Sequence, residues 1–398
     1  MVFCALLETK GMVIKMIIVI ICDVLGEENN GTTVAAMNLI RSLQAKGHTV
    51  RVVCPDETRR GDPNYFIIPT INFGPLNNYV RKNGVSIARP DAEILESAID
   101  GADAVHLLVP FFASNAVVKL AQARDIPVTA GFHCQAENFT NHILLMNSKR
   151  FNRKVYRFFD RHVYSMVDCI HYPTQFIRNT YEQAIGHKTQ GRVISNGVNR
   201  IFVQNRSEKP AEYKDTFVIL FTGRYSKEKS HCVLIDGAAR SKYADRIQLV
   251  FAGAGPQEAH IRKYAAKRLK RQPIMSFFTR QELVKVINYA DLYVHPAEIE
   301  IEAISCLEAI SCGLVPVIAD SPRSATRFFA LSEQNLFRFN NPKSLAERID
   351  YWLDSPERLV QCRQQYLGYA KRFDQQTCMD EMERMISDTI RRKHGEAD

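Results

Sequence analysis

Residues 295–317 read H-P-A-E-I-E-I-E-A-I-S-C-L-E-A-I-S-C-G-L-V-P-V, and the rest of the chain is best understood outward from them. Two short apolar runs bracket the stretch, Leu292–Val294 before it and Val315–Ile318 across its end, each suited to a buried parallel strand. Between them the pattern predicts about three turns of helix, beginning near Glu302 and stopped by Gly313. Carboxylates stand at Glu298, Glu300, Glu302 and Glu308. Glu300 then falls in the loop at the amino end of the helix, and Glu308 projects inside it. Free N–H groups and a partial positive charge at that end suit an anion such as a phosphate, with carboxylates beside it for sugar hydroxyls. A plainer reading has the acids complementing the helix dipole, and Glu298 and Glu302 read as helix-start residues of that kind.

The strand–helix rhythm extends in both directions. In the second half, strands are predicted at 217–221, 248–252 and 274–277, with helices at 231–240, 257–269 and 280–288 between and after them. In the first half, strands at 16–22, 49–54, 104–109, 127–132 and 168–172 alternate with helices. One of these is capped by Thr32 and Thr33, and another runs from Ser114 to Arg124. A polar run over 199–215 separates the halves. The expected fold is α/β, with two Rossmann-like doubly wound parallel sheets facing a central cleft. Domains are expected over 1–195 and 196–370. A helix within 371–398, with Met379, Met382, Ile386 and Ile390 on one face, is expected to pack back on the first domain.

A chain of 398 residues, 46% hydrophobic and 24% charged, is a folded protein of more than one core. Residues 1–11 read as a loose extension, and Glu8 argues against a secretory leader. Apolar runs fall short of the ~20 residues that span a bilayer. The ten cysteines are scattered without a C-x-x-C pair, which points to reduced thiols and to no metal site. A net charge of +9 favours an anionic partner: a phosphorylated ligand, an anionic membrane or a nucleic acid.

Several residues carry the chemistry. Arg224 and Lys229 lie five apart just past a strand, Gly253 and Gly255 follow the next strand, and Gly31 closes the first strand–helix loop. All belong at the carboxyl edges of the sheets, where such folds bind ligands. His133 leaves another strand end, in G-F-H-C-Q-A-E-N. Lys149, Arg153, Arg157 and Arg161 recur every four residues and define one helical face, widened by Arg150 and Lys154. Phe151, Val155, Phe158 and His162 form an apolar edge expected to serve the core as well. A second basic run, Arg262–Arg271, reads as a solvated helix face.

Together, N-G-V at 196–198, G-R-x-x-x-x-K at 223–229, A-G-x-G-P at 252–256 and E-x7-E at 300–308 resemble the motifs of a family 4 retaining glycosyltransferase of the GT-B fold, over residues 16–370. The resemblance implies a nucleotide-sugar donor whose diphosphate is held by Arg224 and Lys229. It implies that Glu300 contacts the donor sugar, Glu308 the ribose, and His133 the transferred sugar. Gly31, Gly253, Gly255, Ile301, Glu302, Ala303 and Ile304 complete the expected donor site. Where such enzymes carry Phe-Gly, this chain has Glu302-Ala303, so the floor of the sugar pocket is expected to differ. The look is closest to bacterial diacylglycerol α-glycosyltransferases. That implies UDP-glucose or UDP-galactose as donor and no cofactor or metal. It also implies a lipid acceptor such as diacylglycerol or ceramide, an anionic membrane surface at the inner face of the cell, and no nucleic acid. Two other readings share these residues: transfer to a polysaccharide or lipid-linked oligosaccharide, and a non-catalytic anion- or nucleotide-binding protein. Oligomeric state is left open.

Overall fold

The structure, a computed structural model, describes residues 15–25, 31–72, 74, 87–141, 146–205 and 207–395. The leading extension and most of the loop before Gly31 lie outside these residues, as do residues 142–145 ahead of the basic helix.

In the first half, strands β1 (Ile17–Ile21), β2 (Thr49–Cys54), β3 (Tyr65–Ile67), β4 (Ala104–Leu107), β5 (Val128–Gly131), β6 (Cys169–Tyr172) and β7 (Gly191–Val193) form one sheet, ordered β3-β2-β1-β4-β5-β6-β7. Its helices are α1 (Gly31–Ala45), α2 (Ala92–Ile99), α3 (Phe112–Ala123), α4 (Ala136–Asn141), α5 (Lys149–His162) and α6 (Gln175–Ile185). In the second half, β8 (Phe217–Thr222), β9 (Ile247–Ala252), β10 (Ile274–Ser276), β11 (Leu292–His295), β12 (Pro316–Asp320) and β13 (Leu336–Arg338) form a sheet ordered β10-β9-β8-β11-β12-β13. Helices α7 (His231–Arg240), α8 (Glu258–Ala266), α9 (Arg280–Tyr289), α10 (Ile304–Ser311), α11 (Pro342–Leu353) and α12 (Pro356–Ala370) accompany it, and α13 (Gln375–Lys393) ends the described chain.

Every strand pairing in both sheets is parallel. The two sheets are Rossmann-like, as the alternation predicts. Central strands such as Ile18–Ile21 and Leu292–His295 are buried along their whole length, since helices cover both faces. Helix α13 leaves the second half and lays Cys378, Met379, Met382, Met385 and Ile386 into the core beneath β1, β2 and α1 of the first. Lys46 and His48 reach Glu383 on it, the latter at 2.7 Å.

Local expectations shift in places. Helix α1 already begins at Gly31, so Thr32 and Thr33 lie inside it rather than capping it. The stretch read as three turns from Glu302 is a helix of only eight residues, Ile304–Ser311. It is preceded by Ala303 in the left-handed region at φ 61°, a turn the residue types did not announce.

Candidate active site

The carboxyl edges of the two sheets meet. From the first come the segments after β5, β6 and β7; from the second come those after β8, β11 and β12. Gln135 Nε2 donates to the Arg323 carbonyl at 3.1 Å, and Thr174 Oγ1 to the Ile301 carbonyl at 2.8 Å. Ile301 packs its side chain against the core of the first half.

At the centre of the second sheet, Lys229 Nζ is ion-paired with Glu300. His295 Nε2 lies 3.2 Å from the same carboxylate oxygen, its Nδ1 is 3.2 Å from the Tyr293 hydroxyl, and that hydroxyl is 3.0 Å from Thr222 Oγ1. Burial pushes the Glu300 carboxyl up, but Lys229 and His295 outweigh it and hold the group at about 2. Burial keeps the His295 imidazole below its ordinary value, against the pull of Glu300. The proton positions follow. An ionised Glu300 only accepts, so neutral His295 donates from Nε2. Its Nδ1 then accepts from Tyr293, whose oxygen accepts from Thr222. The row fixes the Glu300 carboxylate in place. The Glu300 backbone is held as well, by a bridge to Ser324 and by Ala325 N donating to its carbonyl at 2.8 Å.

Arg224 stands in the β8–α7 loop near Lys229, half-buried. Gly253 abuts that loop so closely that a Cβ there would lie 2.1 Å from the Gly223 carbonyl oxygen, and Gly255 packs on the Tyr225 backbone. These glycines let two ligand-edge loops touch. Glu308, on the second turn of α10, is half-buried and pushed up to about 8 by burial, with Arg280 opposing. Ile304 opens that helix. Across the cleft, His133 is partly exposed, its ring folded over Gly131 and 5.5 Å from the His171 ring. Burial first, then His171 and His106, hold its imidazole well below the ordinary value, so it is neutral. Gln135 joins the His133 segment to Arg323, whose neighbour Ser324 bridges Glu300.

Two acids read as helix-start residues, Glu302 also as part of the donor site, do something else. Glu298 pairs with Arg323, whose Nη1 also donates to Asn147 at 2.8 Å. Glu302 is buried and turns away from the helix. It accepts from Ser195 Oγ, from Asn196 Nδ2 at 2.5 Å and from Asn196 N at 3.2 Å. Burial raises its carboxyl to about 7, with Ser195 and Asn196 opposing. The reason is the short helix: with α10 starting at Ile304, residues 298–302 form a strap between the sheets. Spacing gave no signal for these partners, because they are supplied by the other half of the chain.

The six basic residues of α5 form a separate stripe. Lys149, Arg150, Arg153, Lys154, Arg157 and Arg161 are all exposed, and none has an ion-pair partner among the described residues. The buried face is Asn152, Tyr156 and Phe159. Phe158, expected to serve the core, is instead 53% exposed amid the cations. The acid within the helix, Asp160, accepts from the Tyr181 hydroxyl at 2.7 Å, and Glu137, behind the helix, accepts from the Tyr156 hydroxyl at 2.7 Å. No group of His, Cys, Asp and Glu suited to a metal occurs among the described residues, and none of their helices is long and apolar enough to cross a membrane.

Comparison with known proteins agrees with this architecture. Residues 29–200 match the family model described as Glycosyltransferase Family 4, and residues 202–367 match Glycosyl transferases group 1. HepE from Anabaena, solved with UDP-glucose, superposes over 94% of this chain and 100% of its own at TM-score 0.73 and 14% identity. Sucrose-phosphate synthase from Thermosynechococcus elongatus superposes over 94% of this chain and 99% of its own, at 0.70 and 16%. The catalytic domain of cholesterol-α-glucosyltransferase from Helicobacter pylori is 45% identical over 39% of this chain and 98% of its own. Its TM-score of 0.38 is too low for the sites to be compared. No curated protein matches the chain. Two parallel-sheet domains joined edge to edge, each matching a glycosyltransferase model, make this an enzyme of the GT-B glycosyltransferase class. Within that class the family 4 model covers the first of the two domains, residues 29–200.

Proposed function

We propose that the enzyme transfers glucose or galactose from a UDP-sugar to a membrane lipid such as diacylglycerol or ceramide, giving an α-glycolipid at the inner face of the cell membrane. HepE, which shares the fold, binds UDP-glucose. In this reading Arg224 and Lys229 grip the diphosphate, with the free N–H groups of α10 adding their dipole. Glu308 holds the ribose and Glu300 the donor sugar. Diphosphate arriving beside Lys229 shares the charge that now serves Glu300 alone. As the bond from C1 to the diphosphate oxygen breaks, that charge steadies the leaving group. The acceptor oxygen bonds C1 from the same face, its proton passes to the departing phosphate, and configuration is retained. Neutral His133 offers a hydrogen bond beside the sugar without opposing positive charge at C1. These groups need no cofactor or metal.

The observation that carries the lipid acceptor is α5: six exposed cations, unpaired among the described residues, around an exposed Phe158. The other basic run differs. Arg262 pairs with Glu258 at 2.8 Å, Arg268 with Asp236 at 2.9 Å and Lys270 with Asp245 at 2.6 Å. Three cations of that run are neutralised in this way; among the described residues α5 has no such pairing, which leaves its charge for a partner outside the chain. Each such cation near an anionic leaflet adds about 1 kcal/mol of attraction, enough together for reversible docking. The test is incubation with UDP-glucose or UDP-galactose and vesicles of anionic lipid carrying diacylglycerol or ceramide, with product and anomer identified by mass spectrometry and NMR. An α-glycolipid is expected. Transfer to no lipid, or only to a soluble saccharide, overturns the reading.

A further inference from the structure

The chain crosses between the two sheets twice, once after β7 and once before α13, and the crossings lie side by side. Val198 N donates to the Phe373 carbonyl at 2.7 Å, and Gln375 N to the Val198 carbonyl at 3.1 Å. Gly197 adopts φ 75°, and a Cβ on it would lie 2.6 Å from Gln375 Cα, so only glycine fits where the strands of the hinge touch. The residues before it, Ser195 and Asn196, are the ones that hold Glu302.

That contact is unusual for a buried acid. Both Glu302 oxygens are engaged, one by Ser195 Oγ and the other by Asn196 Nδ2, with Asn196 N between them at 3.2 Å from each. Ser195 Oγ accepts in turn from Gly197 N at 3.1 Å. All these partners are neutral. A buried carboxylate without a cation is costly, and an apolar side chain of similar size would fill the space more cheaply. What the carboxylate supplies is acceptance at two oxygens in one plane, which neither an amide nor an apolar group offers. It sits two residues from Glu300. The intervening Ile301 is fastened to the first half through Thr174, and Glu300 to the second half through Ser324 and Ala325. Residues 300–302 are therefore a strap whose two ends belong to different domains.

We propose that Glu302 is a positioning residue: it ties the donor loop to the interdomain crossing, so that the hinge sets where the Glu300 carboxylate stands. This rests on the proposed use of a UDP-sugar at Glu300. When the sheets part at the hinge, the bonds from Ser195 and Asn196 loosen and the strap loses its anchor; when they close, Glu300 is brought to register. The Phe-to-Glu departure in the family pattern thus changes the hinge rather than the sugar pocket.

The test compares wild type with Glu302→Ala, Glu302→Gln, Ser195→Ala and the Glu302→Ala/Ser195→Ala pair. Steady-state transfer, UDP binding by calorimetry and amide exchange at Asn196 and Gly197 are measured. Expected are a fall in kcat of tenfold or more for Glu302→Ala with UDP affinity within about twofold, and partial rescue in Glu302→Gln, which keeps one acceptor oxygen. Ser195→Ala should lose severalfold, and the pair no more than Glu302→Ala alone. Unchanged kcat in a folded but less stable Glu302→Ala variant overturns the proposal, as does UDP affinity falling in step with kcat. Should wild type transfer no sugar from a UDP-sugar, the functional reading fails separately. Exchange then still decides the clamp: saturating UDP slows exchange at Asn196 in wild type and not in Glu302→Ala if the coupling exists, and equal slowing in both overturns it.

Discussion

The donor edge of the second sheet and the outer face of α5 are both rich in charge and handle it in opposite ways. Around Glu300 the charges are half-buried and matched: Lys229 meets the carboxylate, and His295, Tyr293 and Thr222 line up behind it. On α5 the charges are exposed and unmatched among the described residues, with a half-exposed Phe158 among them. A site for one ligand of fixed shape can afford to pre-pair its ions, because the ligand arrives to a prepared geometry. A face for an extended, fluid anionic surface gains nothing from such fixing and works by summed, screened attraction. On this reading the first region is where bonds are made and broken, and the second is where the molecule rests.

The comparison breaks first at Glu300. Glu300→Gln keeps the shape and removes the charge, so kcat should fall by at least about 10²-fold, the scale of losing one pre-organised electrostatic contact. UDP affinity should stay within a few-fold, because Arg224, Lys229 and Glu308 are untouched. Normal turnover with lost UDP affinity would reverse the assignment. A comparable effect is expected on the other side. Arg153, Arg157 and Arg161 changed together to Glu should cut binding to anionic vesicles by at least about a hundredfold, from about 1 kcal/mol per basic side chain. Turnover of a soluble short-chain acceptor should be unchanged. The matched control reverses Arg262, Arg268 and Lys270, whose charges are already met within the chain. Equal loss in the control would mean that net charge, and not α5, attracts the membrane.

Glu308 sharpens the donor side through pH. Its ordinary value of 4.5 is raised to about 8, chiefly by burial. Below 4.5 the carboxyl is protonated in both folded and unfolded chains. Between 4.5 and about 8 the unfolded chain releases a proton that the folded one keeps, so this contribution to stability falls as pH rises, and the fall ends near 8. Glu308→Gln should remove that slope in the ligand-free protein, measured as melting temperature against pH. An identical slope in the variant would place the raised group elsewhere, with Glu302 the next to examine.

How much of this was legible in the sequence follows from the range of the interactions. The two sheets were readable because buried parallel strands demand continuous apolar runs, as in Ile17–Ile21 and Leu292–His295. Arg224, Lys229, Glu300 and Glu308 stood out because one sheet edge places them at fixed spacing. The destinations of Glu298 and Glu302 were hidden: Arg323 lies beyond the next strand, and Ser195 and Asn196 lie in the other half. Phe158 was misread for a related reason. Periodicity gives a helix two plausible apolar faces, and packing against α4 and α6 chose Asn152, Tyr156 and Phe159. The left-handed turn at Ala303 had no marker, since alanine rarely adopts it.

That turn supplies the smallest expected effect and the finest probe of the donor side. At φ 61° the Ala303 Cβ crowds the backbone, at a cost of roughly 1–2 kcal/mol that glycine would avoid. Glycine in turn frees the unfolded chain and returns up to about 1 kcal/mol of that gain. Ala303→Gly should therefore raise stability by under about 1 kcal/mol, read as a small upward shift in the denaturation midpoint. The informative measurement is activity. If alanine merely tolerates the turn, kcat should stay the same, because Glu302 still anchors the strap on one side and α10 on the other. If instead the stiffness of alanine helps to hold Glu300 in register, the more stable variant should turn over more slowly. The donor loop would then be kept rigid by strain as well as by its hydrogen bonds.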